Sequence, residues 1–339
     1  MRHALTAALV LVSTLGVAAQ EKPAAESKTS YKVPRTPDGQ PDLQGYWTNL
    51  TYTPFERPRA LANTPLYTER EAIEAFNKAV AESQNQAVHY VNTDFGATPV
   101  QTGAKPNRRT SLVIDPPDGR VPPLTPEARQ RETARQAAER AGGPLARTWR
   151  DDRGAVWCVF HDRVVPSFVA PYGSNYQIVQ SRDWIVLTYE WNSERRVIPL
   201  DGRPHGPASV RTYAGDARGH WEGDTLVVET TNFSPKRNFF GSPGTFRLVD
   251  RFTRIADDTI IHTYTVEDPA TWTRPWTVEM PMHRINGPML EYACNENNVD
   301  VFTTLRNARA QEQGKLPPPD TVRNVDDAKA TVLEREDGK

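Results

Sequence analysis

The sequence predicts a mainly β fold, in which an antiparallel meander closes into a barrel behind an irregular and helical N-terminal arm. The first observation is a series of short β-like runs separated by turn residues, with no helical periodicity between them. The second is the turn chemistry, because Gly223 supplies the positive φ that a tight hairpin turn needs. The predicted strands are 176–180, 183–191, 195–200, 225–233, 246–255, 259–267, 276–283 and 289–294.

Two helices are predicted in the arm. The first spans 68–82, where Thr68 and Glu71 have the spacing of a capping box and apolar residues recur on one face. The second spans 125–141 and carries Pro126 at its first helical position. Its weak apolar face indicates a helix on the surface.

The domain organisation follows from these elements and from shifts in composition. We predict a signal peptide at 1–19, a flexible lead-in at 20–45, and the arm at 46–150, with a short strand at 111–114. The barrel domain follows at 151–306. The polar tail at 307–339 is expected to lie over the surface or to be partly disordered.

The N-terminus has the composition of a secretory signal. Arg2 and His3 form a basic start, an apolar core runs to Val17, and Ala19 provides a small residue ahead of cleavage before Gln20. The apolar run is shorter than the roughly 20 residues that span a membrane, and no later stretch is as long. We therefore expect a secreted or periplasmic protein that is not inserted in the membrane after cleavage.

The charge composition excludes two classes of partner. The 41 Lys and Arg residues nearly balance the 42 Asp and Glu residues, which gives a formal net charge of -1. Such a chain has no basic footprint for nucleic acid and no polybasic patch for anionic lipid. The expected partner is a small molecule, and the oligomeric state stays open.

The only two cysteines are Cys158 and Cys294. In an oxidising compartment a single pair most simply forms a disulfide, and neither residue has the spacing of a metal site. Because the first and last strands of a closed meander are neighbours, we expect this bond to lock the seam of the barrel.

The strand faces predict a barrel interior that is partly polar. Side chains alternate across a strand, so Thr230 and Asn232 share a face with apolar residues, and His262 and Tyr264 do the same on another strand. A small barrel filled only by its core does not need such groups, whereas a barrel that holds a ligand does. The alternative is that these groups lie at strand ends in solvent.

Four motifs resemble a large group of secreted bacterial proteins of undefined function. They are the segments 36–47 (TPDGQPDLQGYW), 111–123 (SLVIDPPDGRVPP), 201–205 (DGRPH) and 219–228 (GHWEGDTLVV). The segment 159–163 departs from the pattern of that group. The strand-rich half also resembles a lipocalin or calycin barrel, which is a likeness of architecture and implies no particular activity.

The candidate site lies mainly in the stretch from Glu190 to Asp224, where acid–base residues accompany Arg and Trp. We predict that Glu190, His205 and His220 exchange protons with a substrate. The residues predicted to bind it are Arg196, Trp221, Asn232 and His262. The alternative is structural, since hairpin charges can pair with each other and a loop histidine can face solvent.

The leading functional hypothesis is a cofactor-independent enzyme of the lyase, isomerase or hydrolase type, acting on a small organic substrate in the barrel. The alternative is a non-catalytic periplasmic binding protein for an apolar or aromatic ligand, and a third possibility is a structural module of the envelope. No nucleophile elbow and no dinucleotide fingerprint is present. The histidines lack metal-site spacing, so we predict neither a metal nor a cofactor; those weighed as ligands are His161, His205, His220, His262 and His283.

Overall fold

A computed structural model describes residues 31–85, 103–141, 165–169, 174–296 and 298–315. Every element below belongs to one compact unit that begins at Val33. The predicted signal peptide and Cys158 lie outside the described residues. No helix in the described ranges combines the length and the hydropathy of a membrane span.

The prediction of a mainly β fold is confirmed, because the described residues form a nearly closed antiparallel barrel with few helices. The strands are β1 (Gly45–Thr48), β2 (Val113–Asp115), β3 (Asn175–Gln180), β4 (Trp184–Tyr189), β5 (Arg195–Pro199), β6 (Asp216–Glu222), β7 (Thr225–Thr231), β8 (Arg247–Ala256), β9 (Thr259–Glu267) and β10 (Trp276–Arg284). The helices are α1 (Glu69–Asn85), α2 (Pro126–Ala141) and α3 (Asp300–Glu312), with single 3₁₀ turns at Arg59–Leu61 and Trp191–Ser193.

The strand order around the barrel is β5-β4-β3-β1-β10-β9-β8-β7-β6, with β2 paired to β10 beside this path. The short strand β1 therefore lies between β3 and β10 and completes the sheet there. Each strand along this path runs antiparallel to its neighbour. The two end strands, β5 and β6, therefore run in the same direction. The gap between β5 and β6, which we call the seam, therefore cannot be closed by an antiparallel ladder.

This topology corrects the predicted role of the disulfide. The seam lies between β5 and β6, whereas Cys294 follows the end of β10, which pairs with β1 and β9. Cys294 therefore does not lie on a strand that borders the seam, so the strand order gives no support to a bond that locks it. The described residues include no free cysteine, and the pairing with Cys158 stays a prediction.

One other sequence expectation needs correction. The run 289–294 is not a strand, and the chain there follows an irregular path after β10. The first residues of the predicted polar tail belong to α3, which continues to Glu312, and the residues after 315 lie outside the described ranges.

The two predicted helices form close to their expected limits. The capping box of α1 is complete, since the carboxylate of Glu71 accepts from the backbone N–H of Thr68 at 2.7 Å and Thr68 Oγ1 accepts from the backbone N–H of Glu71 at 3.3 Å. At the start of α2, Thr125 Oγ1 accepts from the backbone N–H of Ala128 at 3.1 Å.

The two ends of the barrel differ. The hairpins β3–β4, β6–β7 and β8–β9 turn at one end within two or three residues, and we call this the turn end. The opposite end, the loop end, receives the longer segments 190–194, 232–246 and 268–275 together with the chain after β1. Long connections at one end of a rigid barrel are where binding residues are usually carried.

The turn end is closed by a buried tryptophan. Trp47 is fully buried, and the guanidinium groups of Arg284 and Arg254 lie 4.5 and 5.7 Å from its ring centroid. Arg254 also donates to the backbone oxygen of Asp42 at 2.8 Å, which ties the chain ahead of β1 to the barrel. These cation–π contacts and this hydrogen bond stabilise the packing at the turn end of the barrel.

Candidate functional site

Polar side chains gather inside the barrel, in the half nearer the loop end. All except Asn49, which follows β1, lie on the buried face of a strand, since buried residues alternate with more exposed ones along strands such as β5, β8 and β9. We call the set the lumen cluster; its members are Asn49, Tyr176, Tyr189, Arg196, Thr230, Asp250, His262 and Tyr264. Arg196 and His262 were predicted as binding residues, and the structure places both here.

Arg196 and Asp250 form a buried ion pair across the lumen. The Arg196 side chain is 4 % exposed and that of Asp250 is 1 % exposed, and Nη2 lies 2.6 Å from Oδ2. The same nitrogen donates to Thr230 Oγ1 on β7. Removal of either charge is expected to destabilise the fold, because the other charge would remain buried without a partner in a low-dielectric interior.

His262 completes a chain of three charged or titratable groups. Its Nε2 lies 2.8 Å from Asp250 Oδ1, and its ring stacks on Phe252 with the centroids 4.1 Å apart and the planes 7° from parallel. Burial alone would raise the pKa of Asp250, but the charge of Arg196 and the hydrogen bond from His262 hold it below its usual range. Asp250 is therefore a carboxylate, and it fixes the orientation of the imidazole.

Three tyrosines surround this chain. Burial raises the pKa of Tyr189 to about 12, although nearby Arg196 opposes the shift. Burial also raises the pKa of Tyr264 well above its usual value, and the charge of Asp250 adds to this. The Tyr176 hydroxyl accepts from Asn49 Nδ2 at 2.7 Å, and the rings of Tyr176 and Tyr189 lie 5.0 Å apart. All three phenols are protonated at neutral pH and can donate hydrogen bonds.

Several buried atoms at this end of the lumen have no hydrogen-bond partner in the protein. They are the donors Arg196 Nε, Tyr264 Oη and Trp276 Nε1 and the acceptor Asn49 Oδ1. Tyr264 and Trp276 are fully buried, and their rings lie 6.3 Å apart. Because buried polar atoms are nearly always satisfied, each of these atoms calls for a water molecule or a ligand next to it.

The predicted acid–base residues are not brought together with one another. Glu190 follows β4 at the loop end, and burial raises the pKa of its carboxyl although hydrogen bonds from Asn175 oppose this. His220 is exposed on the outer face of β6, where Nε2 lies 3.2 Å from the carboxylate of Glu222. Glu190 and His220 therefore face different surroundings and do not form one site.

His205 holds the segment that crosses back over the seam. This segment, residues 200–215, joins the turn end of β5 to the loop end of β6, and we call it the crossover. His205 Nδ1 lies 3.2 Å from Asp216 Oδ2, and Nε2 lies 3.3 Å from Glu229 Oε1. Gly206 adds a backbone N–H bond of 2.7 Å to Asp216. The contacts of His205 are therefore those of an anchor on the outside of the barrel.

The remaining predicted binding residues also lie away from the lumen cluster. Asn232 has a positive φ of 55°, and its Nδ2 donates to the backbone oxygen of Gly206 at 3.1 Å, so it too anchors the crossover. Trp221 is half-buried and lies opposite Leu226 at the turn end. The structure thus unites two predicted residues, Arg196 and His262, and separates the others from them.

Sequence reasoning missed Asp250, Tyr264, Tyr176, Tyr189 and Asn49. The alternation within their strands is visible in the sequence, and Tyr264 falls on the same face as His262. Asp250 is hidden because Asp in a run that also contains Arg247, Arg251 and Arg254 resembles a solvent-facing charge pattern. Its burial depends on Arg196, 54 residues away along the chain.

In the ranges that the structure describes, His, Cys, Asp and Glu side chains form no group of three or more able to hold a metal ion. No protein-family model matches the chain, and comparison with curated proteins gives no match.

Proposed function

We propose that this protein binds a small organic molecule among the side chains of the lumen cluster and the neighbouring indole of Trp276, whose ring lies 6.3 Å from that of Tyr264. The observation that carries the proposal is the set of buried hydrogen-bonding atoms on Arg196, Tyr264 and Trp276 that have no protein partner. A buried donor without an acceptor costs about 1–3 kcal/mol, so three of them are expensive to keep in a barrel that apolar residues could fill.

The loop end supports this proposal because its long segments surround the lumen with aromatic rings. Phe239 stacks on Trp276 with the planes 7° from parallel and the centroids 6.0 Å apart. Phe55 lies edge-on to the same indole at 6.1 Å. Pockets of small-molecule binders combine apolar and aromatic walls with a few directed polar groups, and this end of the barrel offers both. The predicted export signal at the N-terminus supports an extracytoplasmic ligand.

Mass spectrometry of the purified full chain tests the proposal. We expect the native mass to exceed the denatured mass by that of a retained molecule. Tyr264→Phe deletes a hydroxyl that has no internal partner, so we expect it to reduce retention while leaving the melting temperature unchanged. Tyr46→Phe is the matched control, since Tyr46 lies on the outer face of β1, where its hydroxyl accepts from Gln177. Two results together would contradict the proposal. The purified protein would retain no molecule, and the wild type and Tyr264→Phe would bind the members of a compound library equally well.

A second candidate is an acid–base enzyme, and the contact between His262 and Asp250 favours it. A carboxylate that holds one imidazole nitrogen fixes the tautomer and leaves the other nitrogen to exchange protons. In this version the proton-exchanging residue is His262, in place of Glu190, His205 and His220. An enzyme would convert the retained molecule to a product, and His262→Gln would abolish this conversion while still binding the molecule. A carrier would bind the molecule without converting it.

A further inference from the structure

Within the described ranges, the turn end and the seam of the barrel are both closed by polar contacts. At the turn end, Arg35 pairs with Asp224 in the β6–β7 turn at 2.5 Å, and Gln40 donates to the backbone oxygen of Arg182 in the β3–β4 turn at 2.7 Å. The seam is covered by the crossover, which the hydrogen bonds described above anchor to the barrel. Opening at either place would break several polar contacts together.

The loop end is closed differently, by aromatic rings. Phe240 is half-buried, and its ring lies edge-on to that of fully buried Trp276, with the centroids 6.1 Å apart. The Trp276 ring lies 6.3 Å from Tyr264, and the Tyr264 ring lies 5.7 Å from His262. These four rings form a continuous file from the partly exposed loop end to the lumen cluster.

Phe240 occupies a backbone position that is unusual for phenylalanine. Phe239 and Ser242 exchange two backbone hydrogen bonds, of 2.9 and 3.0 Å, around Phe240 and Gly241. These two central residues have positive φ, 49° and 88°, which is the pattern of a type I′ turn. Asn, Asp or Gly normally occupies the first of these positions, because a bulky side chain is strained there. The choice of phenylalanine is therefore explained by its ring and not by the turn.

The turn is anchored by other residues. Asn238 Oδ1 accepts from the backbone N–H of Gly241 at 2.8 Å, and Ser242 Oγ donates to the carboxylate of Asp268 at 2.6 Å. The Phe240 ring therefore lies at the tip of a fixed turn, where rotation about χ1 moves it without breaking a backbone hydrogen bond. Among the three closures, this rotation is the smallest motion that opens one.

We propose that the loop end is the entrance of the barrel and that Phe240 is its gate, whose ring swings away from Trp276. The passage of a ligand through this gate rests on the proposed function, whereas the passage of water does not. Trp276 Nε1 has no hydrogen-bond partner among the described residues. Exchange of its proton with D2O therefore requires access of solvent but no breaking of a protein hydrogen bond, so it reports the opening of the gate.

Hydrogen exchange of the indole protons, followed by NMR on the full chain, tests whether the gate opens. The Trp276 signal is identified by its absence in Trp276→Phe. We expect its exchange rate to be the same without urea and at non-denaturing urea concentrations, because rotation of one ring exposes little surface. Acceleration by urea in parallel with the backbone amides of β9 would show that exchange requires unfolding of the barrel, and would overturn the gate.

Substitution of the ring tests where the entrance lies. Phe240→Asn removes the ring and introduces a residue that type I′ turns prefer, so we expect the Trp276 indole proton to exchange at least about tenfold faster in a folded protein. Phe240→Leu keeps part of the apolar bulk and should give a smaller acceleration; it decides the result if Phe240→Asn does not fold. Phe302→Asn is the matched control, because Phe302 is 65 % exposed on α3. Arg35→Gln loosens the turn end instead, and neither of these two variants should change the rate.

Three outcomes would overturn the gate. The rate could stay unchanged in both Phe240 variants, it could rise equally in Phe302→Asn, or it could rise in Arg35→Gln alone, which would place the entrance at the turn end. These measurements need no ligand, so their failure leaves the proposed function to be judged by the retained mass. If a molecule is retained, Phe240→Asn should release it faster than the wild type on dilution, and equal release would show that the ligand does not pass Phe240.

Discussion

Among single residues, the buried polar groups of the lumen are the most informative because they are the most costly. Desolvation of Arg196 and Asp250 offsets most of their mutual attraction, and well-packed apolar residues would stabilise the barrel as well or better. The pair is therefore poorly explained by stability alone. Arg254, by contrast, directs its guanidinium to backbone oxygens at the turn end, which is a structural use of the same residue type.

Buried His283 is expected to make the free energy of unfolding depend on pH. It is buried near the end of β10, and burial together with Lys105 lowers its pKa to about 4, against the smaller opposing effect of Asp258. An unfolded histidine has a pKa near 6.5 and takes up its proton first as the pH falls. The contribution of neutral His283 to stability is therefore fully present above about pH 6.5 and is lost progressively towards pH 4.

Urea unfolding at pH 7.5 and pH 5.0 measures this effect. We expect the wild type to lose on the order of 1–3 kcal/mol between the two values through His283, and His283→Gln to lose correspondingly less. His220→Gln is the control, because His220 is exposed on the barrel surface. If the free energy of unfolding depends equally on pH in the wild type and in His283→Gln, His283 is not the source of the pH dependence.

At the scale of elements, the crossover and the seam form one unit. Because β5 and β6 run in the same direction, the chain must return along the outside of the barrel between them. Arg218 donates to the backbone oxygen of Pro204 at 3.0 Å, and His205 bridges Asp216 and Glu229. The DGRPH segment, which the sequence suggested as a candidate site, therefore lies in the anchored return path.

Gly219 allows the seam to close. A Cβ at this position would lie 2.6 Å from Ile198 Cγ2 and 2.8 Å from Leu200 Cδ2, which is closer than side chains normally approach. Gly219→Ala is expected to reduce the free energy of unfolding by about 1–3 kcal/mol, since β5 must move away from β6. Chemical denaturation measures the change.

Gly206→Ala provides the matched comparison for the seam. A Cβ at Gly206 would meet only Asp216 Oδ2, at an ordinary 3.7 Å, so its effect is expected to stay within about 0.5 kcal/mol. If the two alanine variants are equally stable, the side chains of β5 do not close the seam over Gly219.

The elements predicted from the sequence are those with clear periodicity. Every predicted strand of the barrel except 289–294 is present, and both arm helices form with the expected caps. β6 was missed because Asp216, Arg218 and Gly219 break the apolar alternation. β1 was missed because four residues are too few for a pattern, and only its pairing with β3 and β10 makes it a strand.

For the whole molecule, the candidate site depends on pairings that no local pattern reveals. Proximity along the chain suggested one site between Glu190 and Asp224, but those residues divide between the lumen, the crossover and the outer face of β6. Arg196 meets Asp250 only because the barrel curls β5 towards β8 across the seam. Side-chain chemistry was readable from the sequence, whereas convergence required the closure of the sheet.

The predicted disulfide concerns how the chain after β10 is fixed at the loop end. After β10 the chain returns to this end, where Tyr292 packs on Trp191 with their rings 6.3 Å apart, and Cys294 follows two residues later. A bond from Cys294 to Cys158 would close a long loop and stabilise the fold by about 5 kcal/mol at most. We expect thiol titration of unfolded, non-reduced protein to find no free thiol, and reduction to lower the melting temperature by about 5–15 °C.

Because Cys294 lies beyond the last strand of the sheet, reduction should leave the sheet and the lumen cluster in place. Ligand retention should therefore survive reduction, and the paired substitution Cys158→Ala/Cys294→Ala should lower the melting temperature by the same amount as reduction. Two free thiols in the non-reduced protein would exclude the bond. Loss of ligand retention in both the reduced protein and the alanine variant, at a temperature where each is still folded, would show that the chain beyond β10 belongs to the binding site.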